Sequence, residues 1–327
     1  MRATSHSHRR GGFTLIELMI ASLMMGILTV YMLQSFSVNQ RNYVMLDQTV
    51  ETQQNLRAIG DLIGRDIRHA GFMVPAGAGV CGVDLQNAPD LLYISDADAL
   101  DPTGKMDADM GAGFGGNNVA SGVLNLDPVL EEPDQPFYDT DADGVMDSDF
   151  QIGGGVIVVD KLNPARGAAC GRVTNVSPGT NQITIALTTG PLGPTGAATD
   201  LVAVPAHEYQ VNAQQMLLRD GLILAQGVED LQVAYFFDDN NNNLVDPGDY
   251  RGVLGNNYLA SALDGSDLRE VRVNIVVRTR AQDVNFTQGQ FQTTENRAAV
   301  AGNDGFRRRV YTSTALLRNV AHRTAVF

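Results

Sequence analysis

Arg9-Arg10-Gly11-Gly12-Phe13-Thr14-Leu15-Ile16-Glu17 opens an apolar run that continues to Leu33. Between Phe13 and Leu33 only Glu17 carries a charge. The run is about the length a helix needs to cross a bilayer, roughly 20 residues. A short polar and basic segment, Met1–Gly12, precedes it. In a secretory signal the small residues of the cut site follow the apolar stretch. Here the glycine pair comes first, so a cut there leaves the apolar helix on the mature chain.

Helical patterning does not stop at Leu33. No proline occurs between Phe13 and Pro75. Phe36, Tyr43, Leu46, Val50, Leu56, Ile59, Ile63, Ile67 and Ala70 recur at helical spacing among polar residues. The spacing predicts one amphipathic helix with a core-facing stripe. From about Thr14 to His69 it would measure roughly 80 Å, at about 1.5 Å per residue. Gly71 and Pro75 are stop signals. Gly60 and Gly64 each cost about 1 kcal/mol of helix propensity relative to Ala, and lying four apart on one face they would admit a closely packed strand.

Residues 74–150 are rich in Gly, Ala, Asp and Pro. Strand candidates there are Leu91–Ser95 and Val119–Leu126, and Gly111–Gly116 reads as a surface loop. From about Gly155 the chain turns β-rich. Val156–Val159, Arg172–Val176, Gln182–Leu187, Leu201–Val204, Tyr209–Asn212, Met216–Leu218, Leu231–Phe237, Val271–Thr279 and Val310–Leu317 are short β-branched or alternating runs. The expected fold is α+β: a long N-terminal helix, transmembrane then amphipathic, packed on an antiparallel β-sheet head. The expected domains are a leader at 1–12, a membrane helix at 13–33, an amphipathic helix at 34–70 and a β-rich head at 71–327.

The formal net charge is −14, and loss of Arg2, Arg9 and Arg10 with the leader leaves −17. That balance disfavours nucleic acid, which needs clustered Lys and Arg, and suits cations or a basic partner. Arg307, Arg308 and Arg309 read as a solvated strand face. Cys81 and Cys170 would both lie in the exported part, where an oxidising compartment favours a disulfide between them. His69, His207 and His322 show no partner spacing, and no nucleophile elbow, HExxH or P-loop occurs; no catalysis is expected.

Asp139-Thr140-Asp141-Ala142-Asp143-Gly144-Val145-Met146-Asp147-Ser148-Asp149 places oxygen ligands at positions 1, 3, 5 and 9, with Gly at 6. Alternate side chains can converge on one Ca²⁺, Val145 can give its carbonyl, and Gly144 permits the sharp turn. Phe150 stands where an EF-hand has its bidentate Glu, so the loop reads as a shorter calcium loop with Asp149 as an extra ligand. A second loop has Asp238, Asn240, Asn242, Asp246 and Asp249 at similar spacing, with Asn243 at the glycine position. Asn tolerates the left-handed backbone. With fewer carboxylates this loop is expected to bind calcium more weakly.

Gly12-Phe13-Thr14-Leu15-Ile16-Glu17 resembles the prepilin signature of type IV pilins and type II secretion pseudopilins. The resemblance implies a prepilin peptidase cut between Gly12 and Phe13, N-methylation of Phe13, and Glu17 as the glutamate that sets register by pairing with a neighbour's N-terminal amine. Gly227–Tyr235 followed by an Asp/Asn loop, Leu268–Val273, Arg307–Thr314 and Leu317–Asn319 are similar to the PilW-type minor pilins. That family implies a minor pilin that helps start pilus assembly, at or near the tip. Its partners would be other minor pilins, the major pilin and the inner-membrane assembly machinery. Its route would run from the inner membrane, single-pass with a periplasmic head, to the extracellular fimbrium. A J-like type II secretion pseudopilin and a tip adhesin-like binding module share parts of this pattern.

Overall fold

A computed structural model of the chain describes residues 12–72, 74–75, 77–96, 108–109, 122–126, 137, 144, 146, 148–189, 192, 200–240, 242, 244–283, 286, 293–299 and 304–321. Helix α1 runs from Leu15 to His69, within a residue of the expected bounds. Gly71 sits at φ 77, the left-handed stop that favours glycine. Two units divide the chain at Val50/Glu51. In the first, the apolar side chains from Leu15 to Val50 are exposed, apart from the half-buried Met45. The stripe expected to begin at Phe36 is therefore corrected: Phe36, Tyr43, Leu46 and Val50 are exposed within their unit.

In the second unit α1 presents Leu56, Ile59, Ile63 and Ile67, all buried. Their spacing puts them on one side of the helix. Burying each is worth about 1.5–3 kcal/mol, enough to offset the two glycines between them.

The strands form two antiparallel sheets among the described residues. The first contains β1 (Val80–Val83), β2 (Leu91–Ile94), β3 (Ala108–Asp109), β4 (Val123–Asn125), β5 (Gly155–Asp160), β6 (Ala168–Ser177), β7 (Gln182–Leu187), β8 (Leu201–Val211), β9 (Met216–Arg219) and β10 (Leu222–Gln226). Its main path is β1-β2-β8-β5-β6-β7-β4, with β9 and β3 also on β8, and β10 on β9. The second contains β11 (Val228–Phe237), β12 (Tyr250–Arg251), β13 (Leu268–Arg278) and β14 (Arg308–Leu316), in the order β12-β11-β13-β14.

Strand periodicity assigns side chains to two cores. Ile157, Val159, Val202 and Val204 enter the large core with Leu231, Val233, Tyr235, Val273, Ile275 and the helix stripe. Val156, Val158, Leu201 and Ala203 enter a smaller one with Leu124, Phe150, Ile183 and Ile185. β5 and β8 are thus buried on both faces.

The first sheet curls. β1 and β6 are four strand steps apart along it, about 19 Å if flat at about 4.8 Å per step. Yet Cys81 on β1 and Cys170 on β6 form a disulfide with Cα atoms 6.3 Å apart. The bridge clasps the edge strand β1 to β6 across the curl, and both cysteines are fully buried.

The close approach suggested by the helix glycines is made by β14. A Cβ on Gly60 would stand 2.0 Å from a Tyr311 ring carbon, whereas one on Gly64 would meet Arg68 Nη1 at 3.4 Å and Ser313 Oγ at 3.8 Å. Overpacking typically costs about 1–3 kcal/mol, more than the ~1 kcal/mol of helix propensity gained. Gly60→Ala is expected to lower stability and Gly64→Ala to leave it unchanged or raise it. Urea midpoints that fall equally for both variants would contradict this.

Candidate functional site

Gly12 and Phe13 precede the helix in non-helical, exposed backbone. Thr14 then caps α1. Its backbone N and its Oγ1 both donate to Glu17 Oε2 at 2.9 Å, and Glu17 N donates to Thr14 Oγ1 at 3.3 Å. This is a capping box, which satisfies helix-end donors reciprocally. In the single chain the acidic residue of the apolar run is therefore held by its own helix end. Any further donor to Glu17 would have to displace or share those bonds. α1 is long and apolar enough to cross a membrane.

Of the first acidic loop, Asp139, Asp141, Asp143, Val145 and Asp147 lie outside the described residues. Gly144 is at φ 84, the turn its position requires. The second loop is described apart from residues 241 and 243. Its oxygens are turned on its own backbone: Asp238 Oδ1 and Asn240 Oδ1 accept from Asn242 N at 2.9 and 3.0 Å, and Asn242 Oδ1 accepts from Leu244 N at 2.7 Å. Asn242 Nδ2 donates to Asp246 Oδ2 at 2.9 Å, and Arg269 stands 3.6 Å from Asp238 Oδ2. Asp246 and Asp249 form a capping box on a short helical turn. Among the described residues no group of three His, Cys, Asp or Glu side chains is placed to hold a metal.

The arginines near the C-terminus are paired rather than merely solvated. Arg308 reaches Glu229 and Asp304, and Arg307 reaches Asp283 at 2.7 Å. Arg309 is exposed.

A buried polar site on α1 has no counterpart in the sequence reading. Asp66 is fully buried. Its Oδ2 accepts from Tyr209 Oη at 2.5 Å and from Arg219 Nη2 at 2.8 Å. Burial, then the Asp66 charge, hold the Tyr209 phenol well above its usual range. The signal was present: Asp66 falls three residues after Ile63, on the apolar stripe, where a carboxylate needs a partner.

A helix with an exposed apolar first half, entered through a Gly–Phe junction and followed by antiparallel sheets, is the α+β arrangement expected from the sequence. Residues 204–319 match the family described as Type IV Pilus-assembly protein W, and residues 7–33 match the prokaryotic N-terminal methylation motif. These matches fall on the two stretches that carry the resemblance, the methylation motif at the N-terminus and the PilW-type run toward the C-terminus. A solved type IV-like pilin from Thermus thermophilus is similar at 11% identity, over 83% of this chain and 98% of its own, with a TM-score of 0.30. No curated protein sequence matches the chain.

Proposed function

We propose that this chain is a minor pilin that takes part in initiation and assembly of the type IV pilus, at or near the tip, and has no catalytic role. The observation that carries the reading is the pairing of an N-terminal methylation motif with a PilW domain on one chain. The prepilin peptidase would cut between Gly12 and Phe13, and Phe13 would be methylated. The apolar helix would anchor the chain singly in the inner membrane with its head in the periplasm, then enter the filament core beside other minor pilins and the major pilin.

Glu17 is the group that sets register in this scheme. An acid in hydrocarbon is costly unless paired, and the capping box supports it until a neighbour's amine arrives. Glu17→Ala is expected to leave export and cleavage intact while reducing piliation severely. Piliation at the wild-type level in that variant would refute the assignment.

Calcium in the 139–149 loop is proposed on its ligand spacing alone, and its measurement is a calcium-dependent rise in Tm that Asp141→Asn/Asp143→Asn removes. For the second loop, calcium would have to displace hydrogen bonds that its oxygens already make, which supports the weaker binding expected of it.

A further inference from the structure

The two sheets meet at a seam of buried oxygens. The connection from β1 to β2 reaches the edge of β11: Asp90 N donates to Leu231 O at 2.8 Å, and Val233 N donates to Asp90 Oδ2 at 2.8 Å. Asp90 so occupies the ladder position another strand would fill. Gln232 Nε2 spans Ala88 O at 3.0 Å and Asp230 Oδ1 at 3.1 Å. A turn at 294–297 closes over the same place, with Asn296 Nδ2 donating to Asp84 Oδ1 and Arg297 Nη1 to Asp230 Oδ1.

Three carboxylates, Asp84, Asp90 and Asp230, stand here beside one guanidinium, Arg297. Asp230 and Gln232 are fully buried, and Thr294 and Asn296 nearly so. Asp230 Oδ2, Gln232 Oε1, Asn296 Oδ1 and Thr294 Oγ1 are buried without a hydrogen-bond partner. Native proteins rarely leave such atoms unsatisfied. Turning the amides does not help. Gln232 and Asn296 already donate to carboxylates, and a flip would set oxygen against oxygen. Three of the four orphaned atoms can only accept. The missing group therefore brings positive charge or donors, not another acceptor.

We propose that this seam holds one hard divalent cation of the calcium class, with Asp230 Oδ2, Gln232 Oε1 and Asn296 Oδ1 as ligands and Asp84 and Asp90 supplying further negative charge. The donors are all oxygen, the set calcium prefers over transition metals. Carboxylates do not make a centre here by themselves; the carboxamides complete it. A cation there offsets the like charge of the three carboxylates and ties the first sheet to the second.

The test uses the full-length protein in detergent micelles, carrying Asp141→Asn, Asp143→Asn and Asp246→Asn to silence both acidic loops. Tm is read in calcium chloride and in chelator. Calcium at about ten times its Kd is expected to raise Tm by about 2–4 °C. That rise is expected to vanish when Gln232→Met is added and, separately, Asn296→Ser, which changes only a turn residue. A Tm indifferent to calcium, or a rise that survives in a folded Gln232 or Asn296 variant, overturns the proposal and leaves water as the occupant.

Discussion

Replacing Cys81 and Cys170 together by alanine is expected to cost about 4–5 kcal/mol. The bridge joins residues 89 apart in sequence. In the chain-entropy account a loop of that length is worth about 4.6 kcal/mol. Alanine leaves no buried hydroxyl, and the two fully buried sulfurs it removes add a packing loss to that of the cross-link. Domains of this kind have only about 5–15 kcal/mol in total, so the variant head would be marginal. The structural reason is the curl: β1 and β6 are brought together without a hydrogen-bonded ladder between them. Urea unfolding of the full-length protein, with and without the bridge, measures it. A loss below about 1 kcal/mol would mean that packing alone holds the curl.

The elements whose signals are local were legible in the sequence. The bounds of α1 follow from one uninterrupted periodicity and a glycine stop. β7 was read as Gln182–Leu187 and is observed there. Leu201–Val204 and Tyr209–Asn212 read as two runs in the sequence, yet β8 runs through from Leu201 to Val211. The proline is tolerated because Pro205 pairs with Val156 of β5 on one side, while the other side falls between the stretches paired to β3 and β2. No ladder bond is lost there. β10 went unread, although Asp220-Gly221, both at positive φ, is the hairpin dipeptide that should have disclosed it. The cleavage residues and Glu17 sit in one contiguous motif and needed no fold to be found. The Asp66 site and the seam around Asp90 needed the fold, since their members come from strands and turns far apart in the chain. Loop spacing alone drew attention to Asp238–Asp249, where the backbone has already claimed the oxygens.

Asp66→Ala is expected to destabilise the second unit by about 2–3 kcal/mol. Removing one partner from a buried, hydrogen-bonded ion pair commonly costs about 3–5 kcal/mol. Here Arg219 keeps 24% of its side chain exposed and can turn part of its guanidinium to water, which lowers the figure. Tyr209 cannot do so: it is fully buried, and its hydroxyl loses its acceptor. Tyr209→Phe, which removes the donor and leaves Asp66 bonded to Arg219, is expected to cost only about 1 kcal/mol. Arg219→Ala leaves a buried carboxylate with Tyr209 and the half-exposed Arg65, 3.3 Å away, and belongs with the larger losses. A double-mutant cycle between positions 66 and 219 should then show coupling of at least about 1 kcal/mol. Coupling near zero would mean that Asp66 is held by Tyr209 and Arg65 without Arg219. The helix face that carries Asp66 also carries Ile63 and Ile67, so a loose site there loosens the docking of α1 onto the sheets. Such a variant should lose protection of α1 amides beyond Glu51 in hydrogen exchange before the sheets open.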